Sequence, residues 1–120
     1  DLDVVAFLSA RAQAAVEAGI PEAQICLDPG FGFGKSLAHN LVLMRRLSEM
    51  CGMGYPVLVG VSRKSMIGQI TGREVDARLA GGLALATWAL LQGAAILRVH
   101  DVAETVDVVR VVEALKRDRE

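Results

Sequence analysis

The chain has 120 residues, enough for one domain. It is 52% hydrophobic, which excludes an intrinsically disordered chain and indicates a packed one. A net charge of -1 excludes general attraction to nucleic acid or to an anionic membrane, and no apolar run reaches the roughly 18 residues of a membrane span.

Residues 1–18 place Val5, Leu8, Ala12, Ala15 and Val16 at helical spacing, and Gly19 and Pro21 end the helix. A first strand is expected over Gln24–Asp28, with Cys26 buried on it. A second helix follows from an N-cap at Ser36 to about Met50, with His39 as a structural residue in its first turn. Gly52, Gly54 and Pro56 mark a turn into a second strand, Pro56–Val61, apolar throughout as a buried parallel strand would be. A short helix, Ser65–Ile70, leads through a polar loop to the most apolar helix, 76–92. That helix is apolar nearly all round, so burial on more than one side is expected, with Trp88 in a core or a subunit interface. Gly93 closes it, Ala94–Val99 reads as the third strand, and Asp101 is placed to N-cap a last helix carrying Val102, Val106, Val109 and Val112.

The stretch around which this order is arranged is Asp28–Ser36, DPGFGFGKS, at a strand end and a helix start. Gly30, Gly32 and Gly34 free the backbone for positive φ and for close approach to a ligand. Two phosphate motifs nearly fit and fail: a P-loop would need glycine where Pro29 stands, and a dinucleotide turn would need it where Lys35 stands. On these residues alone a tight connection with a solvated lysine explains the run equally well. Two further polar groups end the other strands, Ser62-Arg63-Lys64-Ser65 after the second and Arg98 with His100 after the third. Arg98 and His100 are two apart, so persistent strand geometry would point both the same way as an anion clamp; a structural salt bridge accounts for Arg98 as well.

Strands alternating with helices imply a parallel sheet, in a small doubly wound fold or in part of a (β/α)8 barrel, whose full form needs about 250 residues. The ligand edge of either is the one where the strands end. Three strands leave two open sheet edges, so association with a missing half or with a second copy is expected.

DPGFGFGK, SRKS at Ser62–Ser65 and RVHDV at Arg98–Val102, in that order and at similar spacing, closely resemble the dihydropteroate synthases, pterin-binding enzymes of folate synthesis. The resemblance covers the whole chain but only the C-terminal half of a family member. It implies the α/β (β/α)8 TIM-barrel fold, here as a partial barrel with three parallel strands and about four to five helices. It also implies a transferase that joins a dihydropterin diphosphate to 4-aminobenzoate and releases diphosphate, and dimerisation through C-terminal helices. Carried over to this chain, Asp28, Lys64 and Arg98 would bind the pterin. Phe33, Gly34, Ser62 and Lys64 would line the 4-aminobenzoate site, where sulfonamides compete. Arg98 and His100 would hold the diphosphate, and Lys64, Arg98 and His100 would be the catalytic set. The family's magnesium-binding asparagine belongs to the N-terminal half, so no metal ligand is expected here and the chain alone should have little or no activity.

Two cysteines, Cys26 and Cys51, in no metal-binding spacing, read as reduced thiols of a cytoplasmic protein. No signal peptide opens the chain, and its start at Asp1 inside a helical pattern reads as one made by cutting or cloning. Other readings are a methyltransferase acting on methyltetrahydrofolate, for which SRKS and RVHDV would be unexpected, and a flavodoxin-like binding module that ignores pterins.

Overall fold

The strands are where the expectation changes most. The computed structural model describes residues 2–31, 36–60 and 64–117. Within these, β1 (Leu58–Val59) pairs in parallel with β2 (Ile96–Leu97), in the register Leu58 to Ile96 and Val59 to Leu97. The third segment joins as a single parallel bridge, Leu27 to Val57, rather than a strand over Gln24–Asp28. Its hydrogen bonds run from Leu27 N–H to the Pro56 carbonyl (2.9 Å) and from Leu58 N–H to the Leu27 carbonyl (2.8 Å). The start of the expected strand is instead a single 3-10 turn, Glu22–Gln24, closed by Ile25 N–H on the Glu22 carbonyl, which leaves little extended backbone to pair. Cys26 is exposed, not buried, because Ile25 and Leu27 alternate inward on either side of it.

Six α-helices are described, not four or five: α1 (Leu2–Glu17), α2 (Leu37–Arg45), α3 (Leu47–Cys51), α4 (Ser65–Thr71), α5 (Leu79–Gln92) and α6 (Val102–Lys116). Ser36 does cap α2, its hydroxyl accepting the His39 N–H at 3.1 Å. The extra helix arises because the expected second helix breaks at Arg46, whose ψ of 14° leaves helical geometry. The break is stapled twice. Arg46 forks onto the Glu49 carboxylate with two 2.8 Å bonds, and the Trp88 indole N–H donates to the Met44 carbonyl at 2.7 Å. Trp88 therefore lies against the chain at its polar tip while 42% of the residue stays exposed.

One core lies between the sheet and the helices, built from Leu8, Leu27, Phe31, Leu43, Leu47, Met50, Val57, Val59, Met66 and Ile67. The helix α5 contributes little to it. Only Ala86, Ala89 and Leu90 are buried, whereas Leu79, Trp88 and Leu91 are exposed, and α6 leaves Val102, Val111 and Leu115 exposed. The two helices hold each other instead, and Lys116 Nζ caps the Leu90 carbonyl at 3.2 Å. Asp101 occupies the N-cap position of α6, but its side chain makes no capping bond. The chain is a slab of 44 × 44 × 21 Å with a radius of gyration of 15.1 Å; a compact domain of this length would have about 13.5 Å. No described helix is long and apolar enough to cross a membrane.

Truncating Leu47→Ala, at a fully buried position, is expected to cost about 2–5 kcal/mol, read from urea unfolding. A loss below about 1 kcal/mol would mean that this site is not packed as described. Partial burial pushes the Cys51 thiol above its usual range. Iodoacetamide near pH 8 should therefore modify exposed Cys26 well before Cys51, with mass spectrometry of the peptides as the check.

Candidate functional site

Register alone assembles the centre of the site. Val59 faces Leu97 across the ladder, so the next pair along it is Gly60 beside Arg98. The Arg98 N–H keeps the ladder bond to the Val59 carbonyl at 3.0 Å, which anchors its Cα at the end of β2. Its guanidinium then folds over Gly60. A Cβ added there would lie 2.5 Å from Nη2 and 2.9 Å from Cζ, so a side chain at this position would force the guanidinium to shift from where it lies.

Asp28 arrives from the neighbouring segment, one residue past the Leu27 bridge. One carboxylate oxygen, Oδ1, accepts the Gly30 N–H at 2.9 Å and closes a turn around buried Pro29, with Gly30 in left-handed backbone at φ 71°. The other, Oδ2, stands 3.9 Å from Arg98 Nη1. The side chains are 42% and 56% exposed, so the pair contributes at most about 1 kcal/mol to stability. Its significance lies in presentation. A carboxylate and a planar cation are held side by side at the strand ends, both open to solvent, the cation backed on one face by Gly60. Such a pair can accept from an amino edge, donate to an anion and stack on a flat ring.

Lys64 occupies the N-cap position of α4 in extended backbone, half-buried, on the chain that leaves β1. Its carbonyl accepts the Ile67 N–H at 3.0 Å. His100 is exposed, past the end of β2, with half-buried Val99 between it and exposed Arg98. Phe33, Gly34 and Ser62, with Lys35 and Arg63, lie outside the described residues. The structure thus brings Asp28 and Arg98 together, keeps Lys64 and His100 on chain leaving the same two strands, and adds one residue that sequence reading passed over. Gly60 carries no motif of its own; a glycine ending an apolar strand is the single faint signal for it. Among the described residues there is no group of three or more His, Cys, Asp or Glu that could hold a metal ion.

The chain is an α/β protein with a parallel sheet and a polar site at its strand ends, and it belongs to the pterin binding enzymes, whose family model matches residues 1–100. Its relatives narrow the class. It is 51% identical to the dihydropteroate synthase of Haemophilus influenzae, over 93% of this chain and 41% of that protein. The Xanthomonas albilineans dihydropteroate synthase in complex with 7,8-dihydropteroate superposes with a TM-score of 0.94 at 47% identity, covering 98% of this chain and 45% of that one. The Thermus thermophilus enzyme in complex with 4-aminobenzoate does so with a TM-score of 0.90 at 48% identity, covering 97% and 47%. The chain thus spans less than half the length of each of these relatives.

Replacing Gly60→Ala should drive the Arg98 guanidinium off β1 and away from Asp28. A crystal structure of the variant with Arg98 in place would show that the close approach is not what positions it.

Proposed function

We propose that the chain is part of a dihydropteroate synthase and carries one side of its substrate site, as the C-terminal half of a pterin-binding TIM barrel. The observation that carries the reading is the Asp28–Arg98 pair, seated over Gly60 at the ends of parallel strands. In this reading Asp28 accepts from the amino-pyrimidine edge of a dihydropterin and Arg98 stacks on its face. Lys64 touches the pterin and 4-aminobenzoate, while Phe33, Gly34 and Ser62 line the 4-aminobenzoate pocket. Arg98 and His100 take the diphosphate.

The reaction forms a bond from the aniline nitrogen to the pterin methylene carbon and breaks that carbon's bond to the diphosphate oxygen. The bonding pair leaves with the diphosphate and the nitrogen gives up a proton. Charge separates as the bond breaks, positive on the methylene carbon and negative on the leaving group. Fixed cations aimed at the leaving group lower that barrier, and holding the aniline against the carbon turns a bimolecular step into a positioned one.

The open shape fits a partial barrel. Among the described residues β2 pairs on one side only, and beside it runs a groove of about 560 Å³ whose lining includes Leu97, Arg98, Val99, Val102, Val106 and Val109. Further strands of the same enzyme would cover it, and that part would supply the magnesium ligand. The exposed apolar residues of α5 and α6 suit contact with a second copy, as a cytoplasmic homodimer. With its donors limited to one side of the site, the chain alone should turn over little or no substrate.

In the full-length enzyme, Lys64→Ala or Arg98→Ala should each remove about 2–4 kcal/mol of transition-state stabilisation, measured as kcat/KM for diphosphate release. Unaltered turnover in either variant would sink its assigned role. Calorimetric titration with a stable pterin analogue should show weaker binding for Arg98→Ala than for the unsubstituted enzyme.

A further inference from the structure

Arg78 stands at the N-cap position of α5 and reaches back across the preceding loop to α4. Its Nε donates to the Arg73 carbonyl at 2.9 Å, and Nη1 donates to the Lys64 carbonyl at 3.4 Å, 14 residues away in sequence. Between these two contacts the guanidinium lies against Gly68, in the middle of α4, so closely that a Cβ there would collide with Nη2 and Cζ. One half-buried cation therefore ties together the residue that opens α4, the helix itself and the loop that leaves it.

The contact to Lys64 bears on chemistry. Lys64 is the residue at which the chain turns from extended backbone, with ψ at 156°, into helix. The plane of its carbonyl fixes that ψ, and with it the direction in which the turn sets the Cα–Cβ bond. The Ile67 N–H alone would leave the carbonyl held from the helix side only. Arg78 adds a second donor from α5. Gly68 is what allows the planar fork to come this near, the same device that seats Arg98 over Gly60.

We propose that Arg78 is a positioning residue for Lys64, with Gly68 as the seat that Arg78 needs. The proposal rests on the reading above, in which Lys64 touches the substrates. Displacing a reacting group by about 1 Å can cost about 100-fold in rate, and the loss of one carbonyl donor would move Lys64 by a fraction of that.

The test uses the full-length enzyme and separates position from fold. Arg78→Ala should lower kcat/KM for diphosphate release by up to about 10-fold. Gly68→Ala should do the same by pushing Arg78 off its seat, although alanine is the better helix former and leaves the thermal midpoint of unfolding unchanged or raised. The double variant should be no worse than Arg78→Ala alone, because both changes break one contact. Guanidinium ion added to the assay should restore part of the activity of Arg78→Ala and none of that of Lys64→Ala. Should Arg78→Ala fail to fold, Gly68→Ala still decides the matter. A Gly68→Ala enzyme with unchanged kcat and KM overturns the proposal. So does a loss of activity that only tracks a loss of folded protein, or losses that multiply in the double variant. An unsubstituted enzyme that releases no diphosphate from the pterin substrate would instead refute the functional reading.

Discussion

The parallel ladder through β1 is the constraint on which the rest depends. Its chain bonds to both sides, to Leu27 through the Pro56 carbonyl and the Leu58 N–H, and to β2 through the Val57 and Val59 carbonyls. Parallel pairing makes all three segments end at the same edge, whatever follows each in sequence. Asp28, Gly60 and Arg98 thereby become neighbours although 70 positions separate the first from the last. Slipping β2 by one residue would put Val99 or Leu97 beside Gly60 and turn the arginine to the other face.

Polar function and packing are divided cleanly along this ladder. Val57 and Val59 on β1, with Leu27 beside them, are almost wholly buried and hold the helices. The charges begin one residue past the last apolar pair. The Asp28–Arg98 pair is too exposed to stabilise the fold appreciably, so its geometry is maintained by the backbone under it. Two arginines in the chain are seated in the same manner, Arg98 over Gly60 and Arg78 over Gly68. In each case a guanidinium from another element lies where a Cβ on the glycine would stand. A guanidinium suits this role because it is flat, permanently charged and donates in its own plane while its face rests on the chain.

The slab shape follows from how the apolar residues are distributed. The inner faces of α1, α2, α3 and α4 close on the sheet, whereas α5 and α6 pack chiefly on each other. A helix as apolar as α5 that keeps Leu79, Trp88 and Leu91 in solvent is suited to further protein contact rather than to water. The magnitude is consistent with this: a radius of gyration above the compact value is what a layered piece of a larger fold would have.

By itself the sequence determined the alternation of elements, the Ser36 cap, the core face of α1 and the three polar motifs. These are local properties, set by periodicity, capping chemistry and residue type, and the motifs alone sufficed for the pterin-binding family. Strand length was not legible, because a short expected strand such as Gln24–Asp28 pairs only where a partner is in register, and here that is at Leu27 alone. The same run misplaced Cys26, since burial on a short segment depends on which face meets the helices. The orientation of Trp88 was settled by its bond to the Met44 carbonyl, 44 residues away, which no local signal announces. Only the tertiary structure decided that Gly60 and Gly68 are seats for Arg98 and Arg78, because a glycine's use depends on what another part of the chain lays over it.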